Sequence, residues 1–456
     1  TTGWPDTWPT DARDAAPRMV DPRVRTLGEN LYEFLGDEED ARLCDDIDEA
    51  ACRESPLSFL LILVSNFMTK LGDELSSPKT TLAWASSVVG APAFVLGYLV
   101  PIRESGSMVP QLFIGARVRQ LAVRKWAWVA GSLVQFLCVT GLGLTVLWLD
   151  GAVAGWTMLG LVALFSLARG FCSVAAKDVM GKTIPKPRRG RLNGWSASLA
   201  GGLALAAGVV LALPWIDPQD RAVLAVLLLA AGALWLLAAA VYAGVPEPAG
   251  ETGGARTAAE ALGQLGLLAT DRPFRRFVLT RALLMCSALS APFYVALAQQ
   301  NGASTGWLLG SFVVASGLAS LISAPLWGRF ADRSSRRVMV AAALITSGIG
   351  LFTLVAARWL PGLLAAAWFL PLAYFVLSAA HSGVRVGRKT YVVNLAGGNR
   401  RTDYVAISNS VIGVLLLLVA TVGLLTPLIG HAGVIGLLAL MGLAGAGLGA
   451  TLPDTE

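Results

Sequence analysis

The sequence predicts an all-α integral membrane protein with twelve transmembrane helices in two pseudo-symmetric six-helix bundles. Of its 456 residues, 55% are hydrophobic and only 14% are charged, whereas soluble domains carry about 25% charged residues. Apolar runs long enough to cross a bilayer follow one another from residue 57 almost to the end of the chain. The second part of the chain also repeats the first at a fixed shift.

Residues 1–56 form an acidic leader that we predict to lie outside the membrane. They hold fifteen acidic and six basic residues, and no apolar run of the length that a signal peptide requires. Weak helical periodicity over residues 26–51 favours two short amphipathic helices, with a solvated leader as the alternative. Residues 1–25 are rich in proline and charge and are predicted to be disordered or an extension of the natural protein, in which Met19 would be a natural start.

The apolar runs also predict the orientation of the chain. Basic residues concentrate in the even-numbered connections between the apolar runs. The odd-numbered connections hold few basic residues besides Lys79, Arg221 and Arg358. Cytoplasmic loops carry the excess of lysine and arginine, so both termini are predicted to be cytoplasmic, in a cell (inner or cytoplasmic) membrane. The predicted spans are 57–78, 80–102, 126–149, 153–176, 194–214, 220–243, 274–298, 304–328, 338–357, 361–383, 404–425 and 431–451.

These spans divide into two halves of six. The predicted N-terminal bundle covers residues 57–243, a cytoplasmic linker covers 244–273, and the C-terminal bundle covers 274–456. A shift of 212 residues lays 168–198 over 380–410 and aligns basic residues and serines in both segments. Repeats of this kind are typical of transporters, although a duplicated bundle with no transport role would look the same.

The segment 324–338 joins an apolar run to an arginine-rich loop in the order G-x-x-x-D-R-x-x-R-R. Its glycine would let two helices approach closely, and its aspartate would accept hydrogen bonds at a neighbouring helix N-terminus. A charged stop after any membrane helix is the alternative, because the motif is short. The residues of this candidate gating loop are Gly328, Asp332, Arg333, Arg336 and Arg337.

Residues 57–451 resemble the major facilitator superfamily. The loop at 328–337 is similar to that family's signature loop, and 188–195, 169–170 and 71–78 resemble other segments of it. The resemblance implies a twelve-helix transporter that works by alternating access. The equivalent first-half loop has Gln120 where the repeat predicts the acid of Asp332, and an extra segment, 101–111, precedes it. This departure leaves open whether both halves gate alike.

Charged residues inside the predicted helices are the candidates for a functional site, because ionisable groups at membrane depth are costly and mark pathways or proton relays. Asp73 and Glu74 lie towards the outer end of the first span, so a surface cap is the alternative to proton coupling. Arg169 needs an anion, which Asp73 or an anionic substrate would supply. Its repeat partner His381 suits proton coupling, with a structural role as the alternative. Arg281 is the remaining deep charge.

We therefore predict a monomeric secondary active transporter for a small molecule, coupled to protons and embedded in a lipid bilayer. Export is favoured on fold analogy alone. The basic residues lie in short loops between apolar runs, so no nucleic acid partner is predicted. No catalytic triad, metal cluster or phosphate loop is recognisable, so we predict no enzyme activity and no cofactor or metal. Alternatives are an importer, a scaffold or receptor that does not transport, and an intramembrane enzyme.

Overall fold

The protein is helical throughout the residues that its computed structural model describes. These are 22–34, 49–250, 252, 266–302, 307–331, 333–395 and 401–453, and no strand occurs within them. Ten helices in these ranges are long and apolar enough to cross a membrane. The protein is therefore an all-α, multi-pass membrane protein, as the sequence predicts.

The helices follow one another with short connections. In the N-terminal part they are α1 (Pro22–Phe34), α2 (Glu49–Arg53), α3 (Ser55–Leu75), α4 (Thr81–Val88), α5 (Ala93–Met108), α6 (Gln111–Val118), α7 (Lys125–Trp148), α8 (Gly151–Thr183), α9 (Lys186–Leu211) and α10 (Arg221–Ala243). In the C-terminal part they are α11 (Leu267–Thr270), α12 (Arg272–Leu283), α13 (Cys286–Leu289), α14 (Ala291–Gly302), α15 (Leu308–Ala331), α16 (Ser335–Trp359), α17 (Pro361–Leu364), α18 (Phe369–Leu395), α19 (Arg401–Val419) and α20 (Thr426–Ala450), with a 3₁₀ helix, Ala420–Leu425, before α20.

Most predicted spans coincide with these helices within a few residues. The helix α7 corresponds to the predicted span 126–149, and α10 corresponds to 220–243. The last two predicted spans form one helical stretch, Ile407–Ala450. That stretch is interrupted at Gly430, whose φ of 71° and ψ of 173° no helix contains. Only a residue without Cβ adopts this conformation at little cost.

The first two crossings differ from the predicted spans 57–78 and 80–102. The helix α4 continues beyond α3 rather than starting the return crossing, because Trp84 Nε1 donates to the Pro218 carbonyl at 2.9 Å. The Gly151 N–H donates to the Val89 carbonyl at 2.8 Å, which places the turn after α4 beside the turn between α7 and α8. The return crossing is therefore α5 and α6, and it contains the segment 101–111 that the sequence analysis placed outside the helix.

The polar segment 76–80 explains the error. It contains Pro78 and two serines, so composition alone makes it look like a loop between two spans. In the structure it interrupts one crossing between α3 and α4. Asp73 and Glu74 therefore lie midway along the stretch 55–88, not near its outer end.

The two ends of the bundle differ in charge and in packing. We call one the basic end, with connections 119–124, 184–185 and 333–334, and the other the opposite end, with connections 149–150, 212–220 and 360. Towards the opposite end a Cβ on Gly310 would lie 2.5 Å from the Gly208 carbonyl oxygen, and a Cβ on Gly97 would lie 2.8 Å from Gly423 Cα. Glycine permits these two backbone contacts between the N-terminal and C-terminal parts.

The sequence repeat is also visible in side-chain contacts. Lys70 Nζ of α3 donates to Ser196 Oγ of α9 at 2.8 Å. In the C-terminal part, Arg281 of α12 donates to Ser408 Oγ of α19. Ser196 and Ser408 are related by the shift of 212 residues, so each half pairs a base of its first crossing with a serine of its fifth.

The leader contributes the two short helices α1 and α2 to the described residues, where the sequence predicts two amphipathic helices. The helix α1 begins at Pro22 and packs against the start of α3, because a Cβ on Gly28 would lie 3.3 Å from the Pro56 carbonyl oxygen. Arg25 pairs with Glu54, and this hydrogen bond raises the pKa of the exposed Arg25 guanidinium. The leader is thus tied to the first membrane helix.

Two glycines of α15 give a matched test of the close contact at the opposite end. Gly328 was predicted to allow close helix packing, but no atom of a neighbouring helix among the described residues lies within 4 Å of its Cβ position, so the structure gives that prediction no support. Gly310→Ala should lower the free energy of unfolding by about 1–3 kcal/mol through overpacking, while Gly328→Ala should be neutral or slightly stabilising. Thermal unfolding of both variants in one detergent measures the difference, and equal midpoints would contradict the packing argument.

Candidate functional site

Charged side chains from both halves meet midway along the bundle. Asp73 lies near the middle of the crossing 55–88, Arg103 near the middle of 93–118, and Arg169 near the middle of α8. Facing them from the C-terminal half are bases of α12 and α18. We call this group the central cluster, and it comprises Asp73, Glu74, Lys79, Arg103, Glu104, Arg169, Arg281, His381, Arg385 and Arg388.

Asp73 is held between two arginines of neighbouring crossings. Its Oδ1 accepts a hydrogen bond from Arg103 Nη2 at 2.6 Å, and its Oδ2 accepts one from Arg169 Nη1. The Arg103 guanidinium also lies 4.1 Å from the centroid of the Phe165 ring. The sequence analysis offered Asp73 or a substrate as the anion for Arg169, and the structure pairs Arg169 with Asp73.

The other two carboxylates of the cluster connect the halves. Glu104 of α5 interacts electrostatically with Lys79, Arg103 and Arg169 of its own half and with Arg388 of the other. Glu74 hydrogen-bonds Ser316 of α15 and interacts with Arg385 of α18. Because attraction of this kind strengthens where water is scarce, both carboxylates couple the position of one half to the other.

His381 lies on α18 and faces α13. Its Nδ1 is 2.9 Å from the Ser287 hydroxyl oxygen, and the donor in this hydrogen bond depends on the tautomer of the ring. The charged groups that interact with His381 are Lys79, Arg385 and Arg388. A proton that made the ring positively charged would therefore be opposed by the positive charges of these three bases.

Arg281 is the most deeply buried guanidinium of the cluster, with 7% of its surface exposed. It donates to Ser408 Oγ, and its Nη2 donates to Asn409 Oδ1 at 2.8 Å. Its Nε has no hydrogen-bond partner among the described residues. Both of its hydrogen-bonding partners are neutral, so the positive charge is held without an adjacent carboxylate in that part of the structure.

The candidate gating loop of the second half is only partly described. Asp332 lies outside the described residues. Arg336 Nη1 donates to the Leu452 carbonyl at 2.8 Å, beyond the end of the last helix, while Arg333 and Arg337 are exposed at the basic end. Ser334 Oγ accepts from the Arg337 N–H and caps α16. A gating role for this loop stays a prediction.

The equivalent loop of the first half obtains its acids from elsewhere. Glu247, whose side chain is fully buried, accepts from the backbone N–H groups of Arg124 at 3.0 Å and Lys125 at 2.6 Å. Lys182 Nζ donates to the same carboxylate at 2.7 Å, and Arg124 pairs with Asp178. An anion is favoured at a helix N-terminus, and Glu247 accepts hydrogen bonds at the N-terminus of α7. The sequence analysis predicted the same role for Asp332 at the N-terminus of a neighbouring helix.

Sequence reasoning missed several members of the central cluster. Lys79 was placed in an odd-numbered connection, and Arg103 and Glu104 in an extra segment. The structure places Arg103 and Glu104 near the middle of the crossing 93–118. It also brings Lys79, Arg385 and Arg388 into electrostatic contact with the carboxylates Glu74 and Glu104. The available signal was the apolar sequence 93–100 that leads into Pro101, because a proline does not have to end a membrane helix.

Replacement of Glu247 tests whether the buried carboxylate stabilises the basic end. Glu247→Gln should lower the free energy of unfolding by about 1–3 kcal/mol, because it weakens charge-assisted hydrogen bonds to buried donors. Asp150→Asn is the control. The hydrogen bond from Arg221 lowers the pKa of the Asp150 carboxylate, but that pair is exposed and should contribute little. Equal unfolding midpoints for the two variants would contradict this assignment.

Comparison with known families places most of the chain in one group. The profile described as Major Facilitator Superfamily matches residues 57–410. This range includes every member of the central cluster. No curated protein sequence matches the chain.

Solved structures share the fold at low sequence identity. A D-xylose-proton symporter is 13% identical with a TM-score of 0.65, over 87% of this chain and 98% of that one. A mutant of the nucleoside transporter NupG is 12% identical with a TM-score of 0.65, over 87% and 99% of the two chains. The xylose transporter XylE from E. coli, in an inward open conformation, is 14% identical with a TM-score of 0.63, over 87% and 97%.

Proposed function

Because the chain belongs to the major facilitator superfamily, we propose that it moves a small molecule across a cell membrane by proton-coupled alternating access. The observation that carries the proposal is the central cluster. Asp73, Glu74 and Glu104 interact there with bases of three or more helices and of both halves. Buried ionisable groups are costly and belong by default to a transport pathway.

Asp73 is the proposed coupling site. A proton on its carboxyl group would remove the negative charge that holds Arg103 and Arg169. The two guanidinium groups would then be free to bind an anionic group of the substrate. Proton and substrate would not compete for one atom. The proton would bind the Asp73 carboxylate, and the substrate would bind the two guanidinium groups that this carboxylate otherwise holds.

The conformation supports access from one end. The glycine contacts Gly208–Gly310 and Gly97–Gly423 bring the halves together towards the opposite end. Towards the basic end, Lys177 of α8 and Lys389 of α18 are exposed although they interact across the two halves. If the basic end is cytoplasmic, as the positive-inside pattern indicates, this is an inward-facing arrangement with both termini cytoplasmic.

The direction of transport follows from this linkage. Protonated Asp73 would release Arg103 and Arg169 for an anionic substrate, so proton and substrate would bind together. A cycle that carries both in the same direction is symport, and an inward proton gradient would drive the substrate into the cell. Import is therefore the proposed direction, in place of the export that the sequence analysis favoured on fold analogy alone.

The first test is proton movement in proteoliposomes loaded with the pH-sensitive dye pyranine. D-glucose, choline, lactate, succinate and glucose 6-phosphate serve as probes of different charge. We expect at least one probe to drive a pH change that empty liposomes do not show. If no probe moves protons, transport coupled to protons is contradicted for all these substrate classes.

The second test is Asp73→Asn. This variant should abolish pH-driven transport of the active probe yet keep its binding, and that binding should no longer depend on pH between about 5 and 8. Asp150→Asn, at the opposite end, should behave like the natural protein. If Asp73→Asn keeps the full pH dependence, Asp73 is not the coupling site and His381 is the next candidate.

A further inference from the structure

We propose that the central cluster binds a small organic substrate with at least two negative charges, such as a dicarboxylate or a sugar phosphate. This inference rests on the proposed transport function and specifies its substrate class. It depends on three observations: the charge balance between the halves, the exposure of several bases between the halves, and the environment of Arg281.

The charge balance of the space between the halves is strongly positive. Among the described residues linked by electrostatic contacts around this space, three are acidic: Asp73, Glu74 and Glu104. The basic ones are Lys79, Arg103, Arg169, Lys177, Arg281, Arg385, Arg388 and Lys389. Even with every carboxylate ionised, several positive charges lack an acidic counterpart, and like charges in such surroundings repel one another.

Several of these bases are accessible, from the middle of the bundle towards the basic end. Arg169 keeps 41% of its side chain exposed near the middle of α8, and Arg385 and Lys389 are exposed on one face of α18. Glu74 interacts with Arg385, and Lys177 with Lys389, across the two halves. The exposed groups therefore face the space between the halves rather than lipid.

Arg281 adds a buried cation that has no carboxylate among its hydrogen-bond partners in the described part of the chain. Its hydrogen bonds go to the neutral side chains of Ser408 and Asn409, and its buried Nε has no hydrogen-bond partner within the described part of the chain. Its electrostatic interactions are with Arg388, which repels it, and with Glu104, which attracts it. Burying a charge is costly unless it is paired, so an incoming anion would gain most here.

The distribution of the arginines sets the minimum charge of the ligand. Arg103 and Arg169 come from the N-terminal half, and Arg281, Arg385 and Arg388 come from the C-terminal half. Guanidinium groups recognise carboxylate and phosphate oxygens through paired hydrogen bonds. A ligand with two anionic groups can engage both halves at once and draw them together, whereas a single charge can satisfy only one.

The binding experiment uses the purified full-length protein in detergent, with the same five probes and inorganic phosphate. Thermal unfolding and calorimetric titration should show binding of succinate or glucose 6-phosphate that is at least about tenfold tighter than binding of lactate. D-glucose and choline should not bind. Stabilisation by phosphate equal to that by the organic dianions would indicate an adventitious ion only and would overturn the proposal.

Variants identify the residues responsible. Arg281→Gln should weaken dianion binding by about tenfold or more, because it removes one charge-assisted contact. Lys389→Gln is the second variant, for the case in which Arg281→Gln does not fold. Lys389 is exposed, so its replacement should leave folding intact and weaken dianion binding by several-fold. Arg358→Gln, an exposed position next to the opposite end, is the control and should bind normally. Unchanged dianion affinity in Lys389→Gln, and in Arg281→Gln where it folds, overturns the proposal.

Combination with the liposome assay separates this inference from the proposed function. If D-glucose or choline moves protons and no dianion binds, the protein is a transporter and the substrate class is wrong. If a dianion binds tightly but no probe moves protons, the anion site stands and the proposed transport function fails.

Discussion

The ion pairs of Asp73 with Arg103 and Arg169 tie three neighbouring crossings together in the middle of the molecule. A carboxylate in this position is stable only because two guanidinium groups replace the water that it loses. The same reasoning applies in reverse to Arg103, a largely buried cation whose hydrogen-bonded carboxylate is Asp73. The helices around them must therefore keep their register, and the halves can rearrange only where these charges find other partners.

The interruption between α3 and α4 makes this arrangement possible. The chain satisfies its own backbone there, because the N–H groups of Thr80 and Leu82 donate to the Ser77 carbonyl at 3.3 and 2.9 Å. Irregular backbone within a membrane is tolerated only where protein or a polar cavity surrounds it. Lys79 lies in this break and interacts electrostatically with Glu74 and Glu104.

The sequence predicts the parts of this structure that depend on local composition and repetition. Apolar runs identify most crossings, and the shift of 212 residues identifies the related halves. A buried arginine must find an anion, which is why Arg169 and Asp73 could be considered together. The segments 76–80 and 101–111 could not be interpreted in this way, because whether a proline and a few polar residues end a helix depends on its neighbours. Lys79, Arg103 and Glu104 were misplaced for this reason. Asp332 lies outside the described residues, so its predicted role is not tested.

Glu247 shows that part of the linker belongs structurally to the first half. The repeat would place an acid inside the first-half loop, but that loop has Gln120, and the carboxylate comes from the linker after α10. The Gly250 N–H also donates to the Ala122 carbonyl at 2.9 Å, so the linker is attached to the first half as far as residue 250. The unit that behaves as one piece is thus longer than the repeated unit. Exchange of halves between related proteins, or their expression as two separate chains, would have to leave the linker up to Gly250 with the N-terminal piece.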